Sequence, residues 1–310
     1  MFGKSLSTIP ASVSAHFEVL TVGTMSAGKS TFLNALIGRE LLPVANEATT
    51  ARVTRVEHRP RRKHFSGSRY FGHEVSPKQQ YRKITLETLR KWNADQHTRR
   101  IEISGTFNMS VKPAKGLAFY DTPGANNSQD DRHRSVMLDT LHNTSFQALF
   151  YILNAHHLGV DDDRRTLETL LDATRDKPQH KIWFILNKAD ALDPEKGETI
   201  SSVVSKTVSY LSQLGFEVPV LIPVASHAAL YAKKFLNGHQ MSRKQKGDLN
   251  AAVARLNELG HHMLHAARIP ENVRELWRVK LDAPTTNSTP VEHLLAASGI
   301  VAVEAMLHFR

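Results

Sequence analysis

The sequence predicts an α/β fold in which a mainly parallel sheet carries helices on both faces. Three observations point there. Short apolar runs alternate with stretches of helical spacing through residues 17–235. The first run leads through a glycine-bearing turn into a helix rather than into a second strand. Across 310 residues, 41% hydrophobic and 23% charged side chains supply the core of one large domain or two small ones. That composition excludes a disordered, collagen-like or coiled-coil chain.

The elements follow in order. Phe17 to Val22 reads as a buried strand, and Thr31 to Ile37 as a helix closed by Gly38. Pro43 to Thr50 is a loop by composition, and Ala51 to His58 alternates like a strand. A helix is expected near Thr85 to Trp92, then strands over Ile101 to Phe107 and Leu117 to Tyr120. Strands at Ala148 to Leu153, Lys181 to Leu186 and Val218 to Pro223 alternate with helices at Asp161 to Thr174, Glu198 to Leu214 and His227 to Phe235. Beyond Leu236 the pattern is helical, with Leu249, Val253, Leu256, Met263 and Leu264 approximating an apolar stripe. Asp282 to Pro290 is a polar connector, and Ser298 is placed to cap a last helix carrying Ile300, Val303, Met306 and Leu307. That helix runs to Arg310 without a terminator, as expected of a fragment or of a helix whose partner helices lie elsewhere. We therefore divide the chain into residues 1–235 and a helical segment, 236–310, that closes this domain and begins a bundle.

Other classes are excluded by what is missing. Without cysteine there is no disulfide framework, thiolate metal site or Cys nucleophile. The longest apolar stretch, Val218 to Ala232, is broken by Pro219, Pro223, Ser226 and His227 and is too short for a bilayer. Ser5, Ser7, Thr8 and Pro10 deny the N-terminus the apolar region of a signal peptide, so a cytoplasmic location is expected.

The chemistry sits at strand ends. Gly23-Thr24-Met25-Ser26-Ala27-Gly28-Lys29-Ser30 fits G-x-x-x-x-G-K-[ST] between a strand and a helix, the setting this phosphate cradle requires. Its glycines turn backbone N–H groups onto α and β phosphates, and the helix N-terminus adds its dipole. Lys29 reaches the β and γ oxygens and Ser30 ligates Mg²⁺, with Thr31 completing the run. Asp121-Thr-Pro-Gly124 ends the strand Leu117 to Tyr120, where Asp121 would hold Mg²⁺ through a water and the Gly124 N–H would meet the γ-phosphate. Asn187-Lys188-Ala189-Asp190 follows the strand Lys181 to Leu186. A carboxylate at Asp190 accepts from guanine N1–H and the 2-amino group, a donor pair adenine lacks.

These three motifs resemble the GTPase signature set, and the finer detail resembles the dynamin superfamily, particularly its bacterial members. The strings that carry the likeness are Gly23 to Gly38, Leu42-Pro43-Val44, Thr49-Thr50-Ala51 and the long gap from Lys29 to Asp121. The resemblance covers roughly residues 17 to 235, with Ser298 to Glu304 like the helix that closes such domains. It implies GTP and GDP as ligands, with Mg²⁺, and a switch threonine at Thr50, its hydroxyl on Mg²⁺ and its carbonyl on the attacking water. Thr49 is the alternative. It also implies a guanine-base loop at Val224-Ala225-Ser226.

Catalysis of hydrolysis reads as incomplete. Ala125 stands where Ras-like proteins place a water-orienting glutamine, and Met25 where animal dynamins place theirs. Catalytic roles fall to Lys29, Thr50 and Ser26, which in the family helps organise a monovalent cation at a dimer interface. Slow hydrolysis by the monomer, raised by a GTP-dependent homodimer or another partner, is the expectation, with membrane-associated assembly as the family setting.

Charge is concentrated. Residues 59–100 hold twelve Lys or Arg against Glu74, Glu87 and Asp95, nearly the whole net charge of +10. Three readings stand for this basic insertion: contact with anionic lipid, contact with nucleic-acid phosphate, or a solvated segment. Phe65, Tyr70, Phe71, Tyr81 and Trp92 would either stack bases or form a local core. A rival function follows, a GTP-switched regulator that binds nucleic acid or protein through 59–100 and uses hydrolysis as a timer. Glu258, His261 and His265 share a helical face and read as solvated rather than metal-binding, and His156-His157 as surface loop near the nucleotide edge.

Overall fold

The computed structural model describes residues 17–44, 52–72, 76–113, 116–123, 137–142, 144–175, 181–259, 262–275 and 289–308. Nine strands form one sheet: β1 (Phe17–Gly23), β2 (Val53–His58), β3 (Ser66–Phe71), β4 (Gln79–Tyr81), β5 (Thr98–Gly105), β6 (Leu117–Asp121), β7 (Ala148–Asn154), β8 (Lys181–Asn187) and β9 (Val220–Val224). Their order is β4-β3-β5-β2-β6-β1-β7-β8-β9. From β6 to β9 every pairing is parallel, and β2 turns antiparallel against β6. The sheet is thus the mainly parallel one expected, with β6 at its centre and β1, the first described strand, beside it.

Burial explains the strands. All seven residues of β7, Ala-Leu-Phe-Tyr-Ile-Leu-Asn, are buried. A continuous apolar run of this kind belongs to a strand covered on both faces. The helices are α1 (Lys29–Ile37), α2 (Leu86–Ala94), α3 (Asp161–Thr174), α4 (Ile200–Gln213), α5 (Ser226–Leu236), α6 (Arg243–Leu259), α7 (His262–Ala266), α8 (Pro290–Ala297) and α9 (Ile300–His308). Phe32 of α1 meets Phe150 of β7 edge to face, with centroids 5.2 Å apart, where the first helix docks on the sheet.

The basic segment is woven into this sheet. Residues 59–100 contribute β3, β4, α2 and the start of β5, of which the sequence showed only the helix. Ser-Gly-Ser-Arg-Tyr-Phe lacks an apolar face, so β3 escaped notice. Its inward positions are filled in unusual ways. Gly67 gives room to Ile84, whose Cδ1 would lie 2.6 Å from any Cβ there. Arg69 is buried beneath the rings of Phe71 and Trp92 and paired with Asp95 at 2.8 Å. Phe65 and Trp92 are buried in the main core, Phe65 stacked on Phe107, while Tyr70 is buried against Arg100 and donates to Glu102 at 3.0 Å.

Two helices, not one, end the described chain. Thr289 caps α8, accepting the Glu292 N–H while the Glu292 carboxylate accepts from the Thr289 N–H. Ser298 Oγ accepts the Ile300 N–H at the start of α9. Gly299 makes the bend between them, at φ 75°, where a Cβ would sit 2.1 Å from the Pro223 carbonyl oxygen. Ala225 N–H donates to Ser298 O at 2.9 Å. The bend therefore packs directly against the end of β9.

A buried ion pair ties these layers together. Lys233 of α5 donates to Glu304 of α9 and to the Ala35 and Leu36 carbonyls at the end of α1, 2.7 and 3.3 Å away. The second oxygen of Glu304 accepts the Ser110 and Val111 N–H groups at 2.7 and 3.0 Å. Both side chains are shielded from water, and each charge has a full set of partners. Among the described residues no single helix is long and apolar enough to cross a membrane.

Candidate nucleotide-binding site

The carboxyl ends of β1, β6, β8 and β9 open on one edge of the sheet, the place where an open α/β sheet holds its ligand. β1 ends at Gly23, and the loop to α1 passes through Ser26 at φ 62° and Gly28 at φ 90°. A Cβ on Gly28 would lie 2.4 Å from Asn187 Nδ2, so only glycine lets the loop approach β8 this closely. Asn187 in turn donates to Ala27 O at 2.8 Å, joining the Asn-Lys-Ala-Asp stretch to the loop between β1 and α1.

Lys29 is buried and curls back on its own loop, donating to Gly23 O at 3.0 Å and Thr24 O at 2.9 Å. Burial pushes its pKa down to about 8, with Asp121 nearby acting in the opposite sense. Ser30 Oγ donates to Asp121 Oδ2 at 2.8 Å. Burial raises the Asp121 carboxyl to about 6, against the lowering influence of Ser30 and Lys29. Thr122 Oγ1 donates to Thr21 O at 2.6 Å and fixes the chain as it leaves β6. Thr24 and Met25 are half-buried, Ser26 is exposed, and Thr31 lies in the first turn of α1.

Lys188 adopts the left-handed conformation at φ 63° and turns β8 into a short 3₁₀ turn, Ala189–Ala191, that presents Asp190. Burial raises the Asp190 carboxyl, and Arg255, His227 and His156 act against it. Arg255 of α6 donates to Asp190 O at 3.0 Å. Ala225 and Ser226 are buried where β9 meets α5, beside the same edge.

Three buried acceptors or hydroxyls on this edge, Asp121 Oδ1, Asn187 Oδ1 and Ser226 Oγ, have no hydrogen-bond partner among the described residues. Unmatched buried polar atoms are costly in a finished fold and cheap in a site that binds polar ligand. A hydroxyl beside a carboxylate with a spare oxygen also fits the oxygen donor set that Mg²⁺ prefers.

The structure therefore brings together Gly23 to Thr31, Asp121, Asn187, Lys188, Asp190, Ala225 and Ser226. Thr49, Thr50, Gly124 and Ala125 lie outside the described residues. So does the side chain of Glu258, and all of His261; no group of three His, Asp or Glu side chains among the described residues is arranged to hold a metal. Sequence reasoning missed Asn34. Buried in α1, it donates to Leu42 O at 2.8 Å and accepts the Leu41 and Leu42 N–H groups, anchoring the loop that leaves the helix. Its signal was a polar residue amid Phe32 to Ile37.

Comparison with known proteins decides the family. The Dynamin family model matches residues 19–189. The chain belongs to the dynamin family. Its relatives include the bacterial dynamin-like protein of Nostoc punctiforme, 26% identical over 204 residues, or 60% of this chain and 27% of that protein. Dynamin-like protein A of Bacillus subtilis is 26% identical over 171 residues, 55% of this dynamin-family chain and 13% of the relative. The clamp-binding protein CrfC of Escherichia coli is 51% identical over 49 residues, 14% of this chain and 7% of that one. The chain thus spans about a quarter or less of the length of the curated relatives it matches. Among solved structures, an oligomerised bacterial dynamin pair described as sensing and tethering membranes matches at a TM-score of 0.53 and 18% identity. That match covers 86% of this chain and 42% of the other, and it shows the fold.

Proposed function

We propose that this chain binds GTP with Mg²⁺ and hydrolyses it to GDP and phosphate, that two copies pairing through their nucleotide edges raise the rate, and that turnover serves a membrane-associated assembly. The observation that carries the reading is the convergence of Lys29, the Ser30–Asp121 pair and Asn187 on one sheet edge. Lys29 and the backbone N–H groups of residues 24–30 would bind the phosphates, and Asp190 would select guanine. Bound Mg²⁺ would neutralise charge on the β and γ oxygens, held by Ser30 and Asp121 with Thr50 as the third group. Thr50 would also orient water through its carbonyl.

Pairing is favoured by what the loop does not offer. Met25 has no strong hydrogen-bond donor with which to orient a water. Ser26 is the exposed polar group of the loop, held at a left-handed φ of 62°, a conformation that costs about 1–3 kcal/mol. Its hydroxyl is free to face a second copy, with or without a monovalent cation. The membrane setting is supported by the structurally similar bacterial dynamin pair, which is described as sensing and tethering membranes. The second reading, a GTP-switched regulator of nucleic acid or protein, draws its support from the basic segment.

The test is phosphate release from GTP, with ATP as control, across a protein concentration series in Na⁺ and in K⁺, and with Lys29→Ala as the blank. Specific activity that climbs with concentration is expected. A flat, very low rate with tight GTP binding would favour the switch-like regulator.

A further inference from the structure

The end of the sheet opposite the nucleotide edge is basic in a way the fold enforces. β2 and β5 both finish there, and the turn from His58 to Phe65 crosses it. Thr106 clamps this turn: its hydroxyl accepts the Arg62 N–H at 2.9 Å and lies 3.0 and 3.1 Å from the Arg59 and Arg62 carbonyls. Arg61 is held at φ 63°, a conformation an arginine seldom adopts. The strained turn projects Arg61, Arg62 and Lys63 into solvent. Arg82 and Lys83 stand beside them, because Ile84 N–H donates to Phe65 O at 2.8 Å.

Three acidic groups at this end, Glu57, Glu40 and Glu87, are already engaged. Glu57 accepts from Arg55 and Arg59, Glu40 from Lys234 and Gln245, and Glu87 pairs with Lys91. None of Arg61, Arg62, Lys63, Arg82, Lys83 or Lys112 forms an ion pair with another described residue. The same end carries a groove of about 540 Å³, running from Pro60 and Thr106 past Lys112 to Leu236. At the end of α5, Phe235 and Leu236 are 54% and 40% exposed, unusual for large apolar side chains beside so much charge.

We propose that this end is a docking surface for an anionic lipid bilayer, with Arg61, Arg62, Lys63 and Lys112 meeting the head groups and Phe235 and Leu236 entering the interfacial layer. Basic side chains next to a few apolar ones are what peripheral attachment to anionic lipid uses. Nucleic acid fits less well. Of the segment's rings that would stack bases, Phe65, Tyr70 and Trp92 are buried, Phe71 is half-buried against Arg69 and His97, and Tyr81 alone among them is exposed, with its ring against Trp92 at 5.5 Å. The surface points away from Lys29 and Ser26, so attachment leaves the nucleotide edge free. The proposal deepens the membrane part of the proposed function and is independent of turnover.

The experiment is co-sedimentation of the full chain with phosphatidylcholine vesicles containing about 30% phosphatidylserine, against pure phosphatidylcholine vesicles and a DNA duplex. Binding to the anionic vesicles alone is expected, weakening with salt. Arg61→Glu/Arg62→Glu/Lys63→Glu should lower it about tenfold or more, and Leu236→Ser should lower it several-fold, with melting temperature unchanged in both. No sedimentation, sedimentation indifferent to the triple change, or binding to DNA with vesicles ignored would each overturn the proposal. GTP turnover measured on the same preparations separates this outcome from failure of the proposed activity.

Discussion

Ser30 Oγ and Asp121 Oδ2 lie 2.8 Å apart, joining the first turn of α1 to the last residue of β6. The bond leaves Asp121 Oδ1 buried and unpaired, on a carboxyl whose pKa burial lifts to about 6. The first turn of α1 and the end of β6 are thereby made one unit at the proposed metal position.

That geometry makes ligand affinity depend on pH. Metal binding needs the carboxylate, so Mg²⁺-dependent GTP affinity should weaken as pH falls through about 6, approaching tenfold per unit below it. Asp121→Asn should bind weakly with a flat profile. Titration of a fluorescent GTP analogue with and without Mg²⁺ reads both. The stability sign is opposite to that of a salt-bridged aspartate: the folded pKa lies above the unfolded one, so stability falls as pH rises from about 4 to about 6. Ligand-free Asp121→Asn should therefore melt above the parent at neutral pH and level with it below about pH 4.

Lys29 carries a similar tension. Its pKa is pushed down to about 8, so the ligand-free fold gains stability as pH rises from about 8 towards 10.5. Lys29→Met should melt at or above the parent temperature at neutral pH while GTP affinity drops by about 100-fold or more. Calorimetry paired with nucleotide titration checks it, and a variant that simply unfolds would contradict the account of Lys29 as a strained ligand group.

Asp190 should set base choice. Asp190→Asn is expected to weaken GTP by about 2–4 kcal/mol and to shift preference towards xanthine nucleotide, whose added carbonyl accepts from the amide. Competition binding with GTP and XTP measures it. Unchanged preference would remove Asp190 from the guanine site.

The Lys233–Glu304 pair predicts an asymmetric loss. Lys233→Met strands a buried carboxylate and should cost about 3–5 kcal/mol in denaturant unfolding. Lys233→Met with Glu304→Gln should recover part of it, since the amide carbonyl still accepts from Ser110 and Val111. Equal losses in the single and double variants would mean that packing, not charge, is what matters there.

The strands from β6 to β9 and the helices between them were legible because each carries its own signal. Apolar runs such as Ala148 to Leu153 are the same in any context that buries both faces. The loop from β1 to α1 was legible for another reason: its glycines, lysine and serine are contiguous, so spacing alone reports the strand-loop-helix turn and the proposed chemistry. β3 was not, because Gly67 and Arg69 become suitable strand residues only with Ile84, Trp92 and Asp95 around them.

By itself the sequence determined the sheet class and the order in which its motifs follow the parallel strands, both consequences of local period and contiguous chemistry. Tertiary structure decided the rest. It wove residues 59–100 into the sheet, bent the last helices at Gly299, put Asn34 on the Leu41–Leu42 loop and closed Lys233 on Glu304. Each of these joins groups far apart in the chain, and a buried charge or a glycine pressed against a distant carbonyl has a meaning only once its partner is in place.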